Sequence, residues 1–181
     1  MQNNNFKKKS LTQWFSEAKD HYQNKKFSNA IEILFKRIFI HFETIENKKI
    51  IFNSIILCLF CYYEIEKFKE IVDFYETLVF PYKNNFEIIC IVSKTLHNLK
   101  DYKKEIQILQ NYLNNDKNEK TRETFLSFKN YLLSKAYRKI GDLDLALEKI
   151  NLSLNDNWIC GSDISKKIYN ILNFKKVKNF F

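Results

Sequence analysis

A pattern of spaced residues occurs four times along this chain, and it limits the possible folds more than any other feature. In the last copy, Tyr137 is followed nine residues later by Ala146. In the first copy, His21 is followed nine residues later by Ala30. Two looser copies lie between them, and the starts of the four copies are separated by 41, 34 and 41 residues. A period in this range is typical of arrays of small units that stack on one another.

The scarcity of glycine and proline indicates what these units are made of. The 181 residues include 2 glycines and 1 proline. A β-sandwich or a dinucleotide-binding domain of this size needs many turns with positive or restricted φ, and those turns use these two residue types. Helices joined by short turns of Asn, Asp and Lys do not need them. The composition therefore predicts an all-α fold, and it excludes the glycine-rich phosphate-binding loops.

The four copies resemble the tetratricopeptide repeat, a helix–turn–helix with the pattern Trp-x2-Leu-Gly-x2-Tyr followed by Ala-x3-Phe. Trp14, Ala18 and Ala30 match this pattern in the first copy, and Ala146 matches it in the last. The resemblance covers roughly residues 11 to 158 and implies a right-handed α-solenoid of about four helix pairs. The chain departs from the family pattern at four positions: Glu17, Ile71, Glu105 and Trp158.

The same pattern predicts where the units begin and end. A helical-repeat domain is expected over residues 10–174, between a basic N-terminal tail (1–9) and a basic and aromatic C-terminal tail (175–181). Four helix pairs and a C-terminal capping helix are expected within it, near residues 11–44, 52–85, 86–119, 127–158 and 163–174. The capping helix is inferred from the helical spacing of its isoleucines, and it would cover the apolar face of the last pair.

The corner of the last pair is predicted in more detail. Gly141 is expected to end one helix in the left-handed conformation, and Asp142 is expected to cap the start of the next. Ala18, Ala30 and Ala146 are expected at helix crossings, where small side chains allow two helices to approach closely.

The resemblance implies that the first helix of each pair lines a concave groove that binds partner segments. Nine groove positions carry aromatic or basic side chains: Phe15, Lys19, Tyr22, Phe60, Tyr63, Lys94, Tyr131, Lys135 and Arg138. Such a surface suits a segment with apolar anchors and acidic groups. In the alternative interpretation, the aromatic residues reflect codon bias and the lysines only keep a helix face in contact with water.

The formal net charge of +9 favours acidic partners. Six lysines of the two tails are candidate phosphate contacts: Lys7, Lys8, Lys9, Lys175, Lys176 and Lys178. They support an alternative function, that of a ribosome- or RNA-associated structural protein. In the competing interpretation, terminal lysines only keep the chain ends soluble.

No pattern predicts a catalytic, cofactor or metal site. Cys58 and Cys61 form a Cys-x-x-Cys motif, but a structural zinc site usually needs a second pair of ligands, and Cys90 and Cys160 are isolated. A redox motif would need a βαβ context, so we interpret these residues as buried helix cysteines. We expect a non-enzymatic interaction scaffold, a subunit or assembly factor of a larger complex, with no small-molecule substrate.

The sequence also suggests a compartment. The run from Ile50 to Tyr63 is the longest apolar stretch, and it is shorter than the ~20 residues that cross a bilayer. We found no secretory signal pattern, and the cysteines suit a reducing environment. The abundance of Asn, Lys, Ile, Phe and Tyr resembles that of A+T-rich coding sequences. We therefore expect a soluble intracellular protein of the cytoplasm or of a mitochondrial or plastid matrix.

Overall fold

The computed structural model describes residues 9–40, 48–79, 82–112 and 119–154. All regular secondary structure in these ranges is helical, and no strand occurs in them. The helices, in chain order, are α1 (Leu11–Gln23), α2 (Phe27–Ile33), α3 (Lys48–Glu64), α4 (Phe68–Thr77), α5 (Phe86–Asn98), α6 (Tyr102–Asn111), α7 (Glu119–Ile140) and α8 (Leu143–Leu154). A turn of π-helix, Leu34–Ile38, continues α2. The predicted all-α class is confirmed.

The chain divides into two compact units, Met1–Glu66 and Lys67–Phe181. In the first unit, α1 packs on α2, and α3 contacts both. In the second unit, α4 contacts α5, α5 contacts α6, α6 contacts α7, and α7 packs closely on α8. The boundary falls between α3 and α4, so the predicted pair at 52–85 contributes one helix to each unit.

Four helix corners share a left-handed backbone residue. The φ angles are 59°, 57°, 60° and 85° at Lys25, Glu66, Lys100 and Gly141. These positions are separated by 41, 34 and 41 residues, which is the period of the sequence pattern. The prediction of a left-handed cap at Gly141 is confirmed. This conformation is strained for residues with a Cβ atom, so other interactions of the fold must offset the strain at Lys25, Glu66 and Lys100.

Paired backbone hydrogen bonds close the corner at Gly141. The Gly141 N–H donates to the Arg138 carbonyl at 3.3 Å, and the Asp142 N–H donates to the Tyr137 carbonyl at 3.1 Å. This pair of bonds defines the Schellman motif, which satisfies carbonyls at the end of a helix. The same pair of bonds occurs at two other corners, those at Lys25 and Lys100.

Side chains cap the starts of several helices. The Asp142 carboxylate accepts a hydrogen bond from the Leu145 N–H at 3.2 Å, which confirms the predicted N-cap. Ser10 and Gln13 form a reciprocal capping box at α1, with bonds of 2.7 and 3.3 Å. Asn85 accepts two backbone hydrogen bonds at the start of α5. These caps satisfy N–H groups that have no partner within the helix.

Pairs of buried residues twelve positions apart mark the helix crossings. The predicted crossing residues Ala18, Ala30 and Ala146 are all buried, as expected. Within the two units, such pairs are Ala18 and Ala30, Ser93 and Glu105, and Ser134 and Ala146. No described helix is both long enough and apolar enough to cross a membrane. The predicted capping helix at 163–174 and the C-terminal tail lie outside the described residues.

Candidate partner-binding site

In the first unit, four of the five predicted groove residues are partly exposed: Phe15, Lys19, Tyr22 and Tyr63. Phe60 is fully buried, so it belongs to the core and offers no surface to a partner. This corrects the predicted place of Phe60. Its position on a mostly apolar helix explains the error, because such a helix shows little difference between its inner and outer faces.

The Tyr22 side chain is held in a well-defined environment. Its ring lies edge-on to Phe27, with ring centroids 5.5 Å apart. Burial raises the pKa of the Tyr22 hydroxyl, and the nearby Glu64 and Cys61 raise it further. Since an ordinary tyrosine hydroxyl is already protonated at neutral pH, this rise extends the uncharged state of Tyr22 to more alkaline pH.

In the second unit, three predicted groove residues form one stripe on α7, which we call the α7 face: Tyr131, Lys135 and Arg138. Their spacing of four and three residues places them on the same side of the helix. The Lys135 ammonium lies 5.6 Å from the centre of the Tyr131 ring, within the range of a cation–π contact. Lys135 is half-buried and Arg138 is exposed. Lys94, the fourth predicted residue of this unit, is half-buried on α5.

A buried polar cluster lies at the crossing of α5 and α6. The Ser93 hydroxyl donates to Glu105 Oε1 at 2.8 Å, and His97 Nδ1 lies 3.0 Å from Glu105 Oε2. Glu105 is 1% exposed. Burial raises the pKa of its carboxyl group, and the Ser93 and His97 hydrogen bonds and the charge of Lys135 oppose that rise. The departure from the family pattern at Glu105 is thus matched by polar groups on the facing helix.

This cluster does not have the geometry of an activated serine nucleophile. In a hydrolase triad, the imidazole lies between the hydroxyl and the carboxylate and takes the hydroxyl proton. Here the Glu105 carboxylate lies between Ser93 and His97. The contacts instead satisfy a carboxylate in the interior, which is the main requirement for burying one.

The second unit also contains an open cleft of about 420 Å³, which the sequence did not predict. We call it the α4–α6 cleft, because the end of α4 and one face of α6 form much of its wall. Its lining residues are Tyr75, Glu76, Lys83, Asn84, Ile89, Lys104, Gln107, Ile108, Asn111 and Tyr112. The four α6 residues among them are spaced at three, four and seven positions from the first, so they form a single helical stripe.

A lysine–glutamate–lysine network occupies one part of this cleft. Glu76 Oε2 lies 2.8 Å from the Lys83 ammonium, and Glu76 Oε1 lies 3.1 Å from the Lys104 ammonium. The Lys83 hydrogen bond is the main cause of a lowered pKa for the Glu76 carboxyl, and the Lys104 bond adds to it. Lys83 also lies 5.1 Å from the centre of the Tyr75 ring. Burial, together with the Glu76 charge, raises the pKa of Tyr75 to about 12.

Of the six tail lysines, only Lys9 lies within the described residues. Its ammonium is 2.7 Å from Glu17 Oε2 and 4.6 Å from the centre of the Trp14 ring. The Arg37 guanidinium lies 5.1 Å from the same ring. Lys9 therefore contacts its own domain, which reduces its availability for a phosphate. The other five lysines lie outside the described residues.

The three described cysteines, Cys58, Cys61 and Cys90, are all buried, which confirms their interpretation as packed helix residues. Burial raises the pKa of each thiol, to about 12 for Cys61. A raised pKa keeps a thiol protonated and unreactive. Within the described part of the chain, no group of three or more His, Cys, Asp or Glu side chains is arranged to hold a metal ion.

No protein-family model matches this chain, and no curated protein shows significant similarity to it.

Proposed function

We propose that this chain is a helical-repeat scaffold that binds segments of other proteins, as a subunit or assembly factor of a larger complex. The observation that carries the proposal is the agreement between the sequence period and the positions of the four left-handed corners. Repeats of helix pairs build extended surfaces, and proteins of this kind use such surfaces to bind partners. We further propose that the pairs stack as a right-handed α-solenoid of the tetratricopeptide type.

The α7 face is the proposed contact surface in the second unit. Tyr131 offers a broad aromatic surface, while Lys135 and Arg138 add two positive charges beside it. Aromatic and arginine side chains supply much of the binding energy in protein interfaces. A matching partner segment carries an apolar anchor and acidic side chains. Phe15, Lys19, Tyr22 and Tyr63 offer a surface of the same character in the first unit.

The experiment that tests this proposal is affinity capture from the native source with the full chain as bait, followed by mass spectrometry. We compare low salt with about 0.5 M salt, and untreated with RNase-treated extract, because phosphate contacts weaken steeply with salt. Partners of the α7 face are expected to survive both treatments and to be lost with Tyr131→Ala/Lys135→Ala. Leu126→Ala/Lys139→Ala is the matched control, because both residues lie on α7 and are exposed.

Binding of a captured partner must then be reproduced with purified proteins and must depend on the same two residues. Recovery of partners only through RNA, with loss at high salt, would contradict the scaffold proposal. It would favour the alternative function of an RNA-associated structural protein. In the cell, the proposed sites of action are the cytoplasm or an organelle matrix, which the A+T-rich composition supports.

A further inference from the structure

We propose that the α4–α6 cleft binds an acidic peptide segment that carries an aliphatic or aromatic side chain. This inference rests on the proposed role in partner binding, but it concerns a different surface. Much of the cleft is formed by α4 and α6, which are the second helices of their predicted pairs, while Ile89 comes from α5 and Lys83 and Asn84 from the turn before α5. The groove predicted from the sequence belongs to the first helices.

The cleft offers a place for an apolar side chain. Ile89 and Ile108 form aliphatic parts of its lining, and Tyr75 and Tyr112 add aromatic surface. These side chains are between 2% and 9% exposed, so each presents only a small edge to the cleft, and the surrounding protein holds that edge in position. The volume of about 420 Å³ lies within the range of pockets that hold small ligands or single anchoring groups.

The charged part of the cleft sets the preference for an acidic partner. Lys83 and Lys104 share a single carboxylate, that of Glu76, so this group of three side chains has a net charge of +1. An additional carboxylate from a ligand can approach both ammonium groups. The side chains of the two lysines are 36% and 35% exposed, and such a ligand can therefore reach them from solvent.

The same features favour a peptide over a nucleic acid. Phosphate recognition relies on several positive charges that are not neutralised, because binding is driven by the release of counterions. Here Glu76 already neutralises half of the lysine charge, and much of the remaining lining is aliphatic or aromatic. The mixture of an apolar surface with a modest positive charge matches the side chains of a peptide.

The wall formed by α6 also limits the length of the ligand. Lys104 and Asn111 are the first and last members of the α6 stripe, and seven helical residues span about 10 Å. An extended peptide covers this distance with about three residues. The expected ligand therefore has an apolar residue within one or two positions of an acidic residue.

The first experiment is a selection of phage-displayed random octapeptides on the full chain. Bound phage are counter-selected against the variant Lys83→Ala/Lys104→Ala, so that the remaining peptides depend on the cleft. Enriched peptides are synthesised with a fluorescent label, and their affinities are measured by fluorescence anisotropy. We expect enriched peptides to combine Asp or Glu with an adjacent Leu, Ile, Phe, Tyr or Trp.

Charge variants in the cleft separate this proposal from general electrostatic attraction. Each lysine-to-alanine change is expected to weaken binding about two- to fivefold, as is typical of solvent-exposed ion pairs. The matched control is Lys69→Ala/Lys103→Ala, which removes the same charge from exposed positions outside the cleft. Glu76→Gln removes the internal carboxylate and is expected to tighten binding by a similar factor. Misfolding cannot explain such an increase.

Three outcomes would overturn the inference. The first is a selection that yields no acidic peptides. The second is equal binding of a peptide in which Asp and Glu are replaced by Asn and Gln. The third is displacement of the acidic peptide by a 15-nucleotide oligouridylate. The proposed function is judged separately, because the α7 variant Tyr131→Ala/Lys135→Ala is expected to leave peptide binding in the cleft unchanged. A chain that keeps its α7 partners but binds no cleft peptide would refute only the present inference.

Discussion

The hydroxyl of Ser93 donates a 2.8 Å hydrogen bond to the carboxylate of Glu105 across the crossing of α5 and α6. In the first unit, the two positions with the same spacing are Ala18 and Ala30, both fully buried. A polar pair thus occupies a crossing of a kind that small apolar residues fill elsewhere in the chain. Such a pair stabilises the fold only while both of its members are present.

Ser93→Ala should lower the free energy of unfolding by about 1 to 3 kcal/mol, because one oxygen of the buried Glu105 carboxylate loses its donor. Urea unfolding of the wild type and of the variant measures this loss. The double change Ser93→Ala/Glu105→Ala should cost less than the sum of the two single changes, because it also removes the carboxylate that lacks a donor. Strict additivity would show that the two side chains are not coupled.

The Glu105 carboxyl group should make stability depend on pH. Its pKa is raised in the folded state. At pH values between the pKa of the unfolded chain and that of the folded chain, the folded chain therefore binds more protons than the unfolded chain. Its contribution to stability is therefore greatest at low pH, and it falls as pH rises from about 4.5 through the folded pKa. The difference in unfolding free energy between wild type and Glu105→Gln should decrease over this window. A constant difference would contradict the raised pKa.

The left-handed corners should respond in opposite directions to glycine and alanine. Lys100→Gly should stabilise the chain by up to about 1 kcal/mol, because glycine adopts a φ of 60° without strain. Gly141→Ala should destabilise it by about 1 kcal/mol. A Cβ atom at Gly141 meets no other atom within 4 Å, so backbone strain alone causes this cost. Thermal unfolding measures both effects, and equal signs would show that side-chain contacts dominate.

The crossing of α7 and α8 should tolerate no larger side chain. Ala146→Leu should lower the unfolding free energy by about 1 to 3 kcal/mol, because Ala146 is buried and extra methylene groups overpack the site. Asn151→Leu is the control, since it places the same side chain at an exposed position of α8 and should change stability by less than about 0.5 kcal/mol. If both variants behave alike, Ala146 does not lie at a tight crossing.

Local features of the chain were sufficient to predict much of the fold. Helix formation, the corner at Gly141 and the N-cap at Asp142 depend on residues within one or two turns of each other, so they leave a pattern in neighbouring positions. The spacing of 41, 34 and 41 residues, first seen in the sequence pattern, also describes the left-handed corners. The corners at Lys25, Glu66 and Lys100 carry no glycine, so residue type alone gave no sign of their conformation.

The sites depended on tertiary structure, because their members lie far apart in the chain. Glu76 and Lys104 belong to different helices, and nothing in either helix indicates that the other is near. Phe60 lies among apolar neighbours on α3, and only packing decided that it is buried. Local periodicity therefore determined the helices and their spacing. Helix packing decided which side chains meet at the α4–α6 cleft and at Glu105. Each of these contacts requires two helices to be placed together.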